Sequence, residues 1–139
     1  MIDVRIQSAD FEAGAQIERL AELRPAGLAA FVARLDGRED VDEIWIDHHA
    51  VLARAELGRI AEEAGTKWPL AGIILVHRHG RIDPGGQALF VGTAASAPVA
   101  AQQACAWAVA QIRAHAPFWR KDVLSDGGVR WWGPPPEPR

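Results

Sequence analysis

Cys105 is the only cysteine in this chain of 139 residues. One thiol excludes an intramolecular disulfide framework and any cysteine-rich zinc site. Its place in an alanine-rich helical run predicts a small buried hydrophobe, not a nucleophile. Positive charge is also scarce: 15 Lys and Arg against 18 Asp and Glu leave a formal net charge of -3. General nucleic-acid binding needs a basic surface, so that class is excluded. No apolar run approaches the roughly 20 residues of a membrane-spanning helix. Met1–Ile6 carries no signal-peptide pattern, which makes the cytoplasm the expected compartment.

Familiar catalytic signatures are missing too. There is no Walker loop. Gly85-Gly86 lies in a Pro-Gly turn with no helix after it, so it does not cradle a phosphate. No Ser-His-Asp arrangement suggests itself. His77 and His79 share a strand face and His48-His49 lies elsewhere, but a third metal ligand of obvious spacing is absent. No metal site and no cofactor are expected.

What remains is an ordinary globular composition, 49% apolar and 24% charged, long enough to bury a core without staples. No internal repeat divides it. Alternation predicts strands over 4–7 and 42–49, and largely apolar or β-branched runs predict strands over 28–35, 73–79 and 87–93. The 28–35 strand reads as covered on both faces. A short last strand is expected over 129–132. Helices are expected over 11–23, capped by Ser8 or Asp10, over 53–64, ended by Gly65, and over 97–115, capped by Ser96. Pro98 is tolerated in the first turn of the last helix, and Pro117 must stop it. Short links between several strands favour an α+β fold with a mixed or mostly antiparallel sheet and flanking helices. Residues 1–132 form one domain, and the Pro-rich 133–139 reads as a flexible tail.

Chemistry concentrates in the stretch 115–122, where Phe118-Trp119 is followed by Arg120-Lys121. An apolar anchor beside fixed positive charge suits an anionic, ring-bearing ligand. A second cluster, His77, Arg78, His79 and Arg81, would complete an anion site if the fold brought the two together.

With both clusters in view, the chain resembles the large subunit of molybdopterin synthase, the MoaE family. The match runs from Trp68-Pro-Leu through Val76-His-Arg-His-Gly80, the Pro84-Gly-Gly turn and Phe90-Val-Gly92. It resumes at Arg113-Ala-His-Ala-Pro-Phe-Trp-Arg-Lys121, and Asp47-His48 resembles the family's Glu-His. The resemblance implies an α/β hammerhead-like fold. It implies sulfur transfer to cyclic pyranopterin monophosphate, a small pterin phosphate, from the thiocarboxylated C-terminal Gly-Gly of a MoaD-like small subunit. It implies a homodimer flanked by two such partners, a heterotetramer.

The resemblance also assigns residues. The family's reacting lysine falls on Arg113 and its second lysine on Arg120, with the adjacent Lys121 expected as a second catalytic cation. Arg34, Arg78 and Arg120 would bind the substrate anion, and Phe118 and Trp119 would wall the groove for the partner's tail. Arginine holds anions but does not readily give up its proton, so Arg113 alters the chemistry. The family's His-Arg pair falls on Ala97-Pro98, and its Gly-x-Val-Arg strand end is altered to Val32-Ala-Arg-Leu-Asp36. The alternatives are a MoaE-like scaffold subunit without catalysis, or a pterin- or phosphate-binding protein.

Overall fold

The computed structural model describes residues 1–132; the tail 133–139 lies outside the described residues. Strands and helices follow in the order β1 (Ile2–Gln7), α1 (Ala13–Ala21), β2 (Gly27–Arg34), β3 (Val41–His48), α2 (Ala50–Lys67), β4 (Leu70–Arg78), β5 (Gly80–Ile82), β6 (Gln87–Ala95), α3 (Pro98–His115), β7 (Phe118–Leu124) and β8 (Val129–Trp132). The fold is α+β, with two four-stranded sheets. Sheet A has the order β1-β4-β6-β2 and sheet B the order β5-β3-β7-β8. Among the described residues only β1, beside β4, is parallel to its neighbour; the other pairs are antiparallel.

Sheet A is covered on both sides, and β4 shows why. Ile73 and Leu75 face α2 and α3 among Leu57, Ile60, Cys105, Ala108 and Ile112. Ile74 and Val76, one residue out of phase, meet Phe11, Leu20 and Phe90 under α1. A strand buried on both faces reads as a continuous apolar run, as Ile73–Val76 does. The inner stripe of α3 is small, with Ala100, Ala101, Ala104, Cys105 and Ala108 buried, so the helix lies close on the sheet. Gly27 belongs to the same close approach: a Cβ there would come within 2.5 Å of Pro98 Cα.

The two sheets meet where β4 runs into β5. Gly80 sits at that junction with φ +85°, a left-handed conformation that other residues resist. Ile46, Ile82 and Ala88 fill the corner, with Leu35 and Phe118 packed against them.

Several boundaries differ from expectation for physical reasons. Helix α2 passes through Gly65 to Lys67; it stops at Trp68, held extended at φ -133° and ψ 146° by the following Pro69. It starts three residues early, because His49 Nδ1 accepts from Leu52 N–H at 3.3 Å and serves as the cap. Neither Ser8 nor Asp10 caps α1, which begins at Ala13; Asp10 instead accepts from Phe11 N–H at 2.8 Å. Ala97, not Ser96, occupies the first flank of α3, with no side-chain cap. Strand β2 is an edge of sheet A, alternately exposed rather than covered on both faces. The short strand β5 was hidden in the sequence. The largest difference is β7: the aromatic and basic residues after Pro117 form a strand paired with both β3 and β8.

Candidate functional site

Pro117 forces Ala116 out of helical geometry, to ψ 132°, and the chain turns directly from α3 into β7. That turn places the last turn of α3 over the corner between the sheets. A cavity of about 260 Å³ opens there. Its apolar wall comes from Ala33 and Leu35 at the end of β2, Ile46 of β3, Ala88 and Leu89 of β6, and Ile112 and Ala116 of α3. Phe118 and Trp132 add rings and Trp119 borders it, while His77, Arg113 and Arg120 supply its polar groups.

Arg113 lies exposed at the mouth, its guanidinium 5.4 Å from the centre of the Phe31 ring. Arg120 is far more constrained. Its Nε donates to Asp122 Oδ1 at 2.9 Å and its second terminal nitrogen to the Asp36 carbonyl at 2.8 Å, while its carbon stacks 4.6 Å over Trp132. Asp122 is the hub behind the wall. It is fully buried, and it also accepts from Trp132 Nε1 at 2.6 Å and from Arg130 at 3.2 Å. Burial pushes its carboxyl upward, but hydrogen bonds from Trp132 and Arg120 and the charges of Arg120 and Arg130 outweigh that and hold it below the ordinary carboxylate value.

His77 forms the back of the cavity. Its ring lies flat against Phe118, 3.5 Å between centroids and 5° between planes. Phe118 also stacks with His48 at 5.6 Å, and His48 in turn meets His79 at 4.4 Å. Burial lowers the His77 pKa to about 4; the hydrogen bond to the Arg78 carbonyl opposes this and the nearby His48 and His79 add to it. Because a carbonyl can only accept, the 2.9 Å contact with Arg78 O puts the proton on Nδ1 and leaves Nε2 as the acceptor.

The expected cations do not gather in one cavity of the single chain. Alternation along β7 sends Lys121 to the opposite face of sheet B. There it lies 5.9 Å from the ring centres of both Trp45 and Trp131, in a second hollow of about 350 Å³ that also includes Asp47, His48 and His79. Arg78 is consumed by structure: it donates to Ser8 O at 3.0 Å and to Gln87 O at 2.9 Å and pairs with Asp10 at 3.7 Å. Arg34 donates to the Gly85 carbonyl at 2.7 Å. Neither lines the Arg113 cavity. Arg113, Arg120, Phe118 and Trp119 do share it.

Two further residues escaped the sequence reading. Arg38, in the loop between β2 and β3, stacks 5.1 Å over Trp132, one of the cavity's rings. Asp122 could have been suspected, since it is an acid in a strand of alternating pattern beside Arg120. Among the described residues no three His, Cys, Asp or Glu side chains gather as a metal site would need. No helix of the described residues is long and apolar enough to cross a membrane.

This arrangement, a basic helix end above a ring-walled corner between two sheets, coincides with a family match. The model of the MoaE protein family covers residues 6–115. The chain belongs to the MoaE family. Its relatives in that family include the molybdopterin synthase catalytic subunit of Mesorhizobium japonicum, 36% identical over 93% of this chain and 83% of the relative. The Pseudomonas aeruginosa catalytic subunit is 35% identical over 92% of this chain and 88% of its own length. Among solved structures, the molybdopterin biosynthesis MoaE protein of Burkholderia ambifaria superposes with a TM-score of 0.80 at 34% identity, covering 94% of this chain and 88% of that one. The MoaE assignment accounts for the two-sheet architecture and for the helix end poised over β7.

Proposed function

We propose that this chain is the large subunit of a molybdopterin synthase in molybdenum cofactor biosynthesis. It receives sulfur from the thiocarboxylated C-terminal Gly-Gly of a MoaD-like small subunit and delivers it to cyclic pyranopterin monophosphate. The observation that carries this reading is Arg113, placed in the last turn of α3 at the mouth of a ring-walled cavity, where the resemblance puts the family's reacting cation.

In this reading Arg113 holds the phosphate or the anion that develops as sulfur transfers. A guanidinium does this well because it offers several fixed donors and keeps its charge. Arg120 contributes charge from a fixed position and holds the wall through Asp122. Phe118 and Trp119 form the side against which the partner's extended tail lies. Lys121, Arg34 and Arg78 stand away from this cavity and receive no role in it. Much of the catalysis then comes from positioning the thiocarboxylate against the pterin. The subunit works in the cytoplasm, paired with a second copy and with two small partners.

Purified chain, thiocarboxylated partner and cyclic pyranopterin monophosphate should together yield molybdopterin, detected as its fluorescent oxidation product. Intact partner binding without product would instead make this a scaffold subunit.

A further inference from the structure

Among the described residues, three side chains that line the Arg113 cavity can carry a proton: Arg113, Arg120 and His77. Guanidiniums stay charged throughout the working range and cannot accept one. Among the described residues no carboxylate lines the cavity: Asp122 stands behind the wall with its oxygens taken by Arg120, Arg130 and Trp132, and Asp36, exposed to solvent, pairs with Arg120 at 3.4 Å. His77 differs. Its Nδ1 proton is committed to the Arg78 carbonyl at 2.9 Å, so Nε2 keeps a free lone pair. The ring cannot swing away, because Phe118 lies flat on it at 3.5 Å and it is only 7% exposed.

We propose that His77 Nε2 is the proton acceptor for the water that releases sulfur from the partner's acyl group. The inference rests on the function proposed above. When a thiocarboxylate sulfur bonds to a pterin carbon, that sulfur is still joined to the partner's terminal carbonyl carbon. Freeing it requires water. The water oxygen bonds to the carbonyl carbon while His77 Nε2 takes a proton from it. The acyl carbon–sulfur bond then breaks, and its electron pair stays on sulfur, which takes the proton back from Nε2. The balance is acyl thioester plus water giving carboxylate, thiol and one released proton. No oxidant or reductant enters. Arg113, at the mouth, faces the oxyanion and the phosphate rather than the proton. A cavity whose family lysine has become an arginine thereby retains one group able to move a proton.

The test is a single turnover of the full chain with thiocarboxylated partner and cyclic pyranopterin monophosphate, followed by intact mass of the partner. Wild type should give molybdopterin and partner carboxylate. His77→Gln should slow product formation about a hundredfold, a usual cost of losing a general base. It should also accumulate the partner–pterin thioester adduct, while precursor affinity stays within about twofold. A merely structural role for His77 would not trap that adduct. Wild-type turnover by His77→Gln without adduct overturns the inference. A wild-type chain that yields neither product nor adduct overturns the proposed function, and this step falls with it. Should His77→Gln fail to fold, nitrogen NMR of wild-type histidine decides: the Nδ1–H tautomer, with Nε2 shifting when precursor is added, supports the role. The Nε2–H tautomer overturns it.

Discussion

The inner and outer faces of sheet B are built from the same strands and differ in what their side chains are free to do. On the inner face, Arg120, Arg130 and Trp132 lock onto the buried Asp122 beside His77 and Arg113. On the outer face, Trp45, Lys121 and Trp131 stand in a row across three strands, with Trp45 and Lys121 paired in register and Lys121 paired with Trp131. The inner-face cations share the buried Asp122 as their acceptor, and His77 of β4 packs flat on Phe118. In the outer row Trp45 stands exposed. Adjacent residues Arg120 and Lys121 therefore belong to different environments, and similarity of charge says little about sharing a site.

The sharpest way to break the comparison is Asp122→Ala. It leaves Arg120 and Arg130 partly buried without their common acceptor, and should lower stability by about 4 kcal/mol in urea unfolding. An outer-face response of equal size to Lys121→Ala would remove the distinction.

The next effect depends on pH. His77 titrates at about 4 in the folded chain against an ordinary 6.5, so between those values the unfolded chain binds more protons. Stability should fall as pH drops through this window, by about 3 kcal/mol in all, and should be flat in His77 terms above it. His77→Gln should flatten the stability curve between those limits. An unchanged slope would mean that the imidazole is not held neutral.

Third is Arg113→Ala, which should lower molybdopterin formation about a hundredfold, as loss of one anion-stabilising donor does. Its melting temperature should barely move, because the side chain is exposed. Arg113→Lys restores a group that can lose its proton, and raised turnover would show that this position faces the substrate. The smallest effect is expected of Lys121→Ala: less than about 0.5 kcal/mol in stability and turnover within about twofold of wild type. A large loss of turnover there would bring the outer face into the site.

Much of the scaffold was legible in advance. The run Ile73–Val76, the stop at Pro117 and the alternation of β3 each follow from short-range sterics or from strand periodicity. β7 carries little local signal, because Phe118-Trp-Arg-Lys-Asp122 shows no apolar alternation and its pairing partners in β3 lie far away in sequence. The site was legible in part. Arg113, Arg120, Phe118 and Trp119 do share one cavity, whereas Arg34, Arg78 and Lys121 lie elsewhere. Arg38 left no motif to find, and Asp122 only its place two residues after Arg120.

Taken by itself, the order of residues determined the interleaved α+β plan, the end of the last helix and the motif series that marks the MoaE family. Those depend on contacts a few residues apart, and local chemistry settles them. Only the tertiary structure decided which cations stay available. Arg120 meets Asp36 across 84 positions and Arg78 meets Ser8 across 70, and such encounters turn would-be ligands into struts. The same distant packing, Phe118 laid on His77, strips water from one imidazole and sets it apart from the other four. Burial and partnership are properties of the assembled surface, and no local pattern carries them.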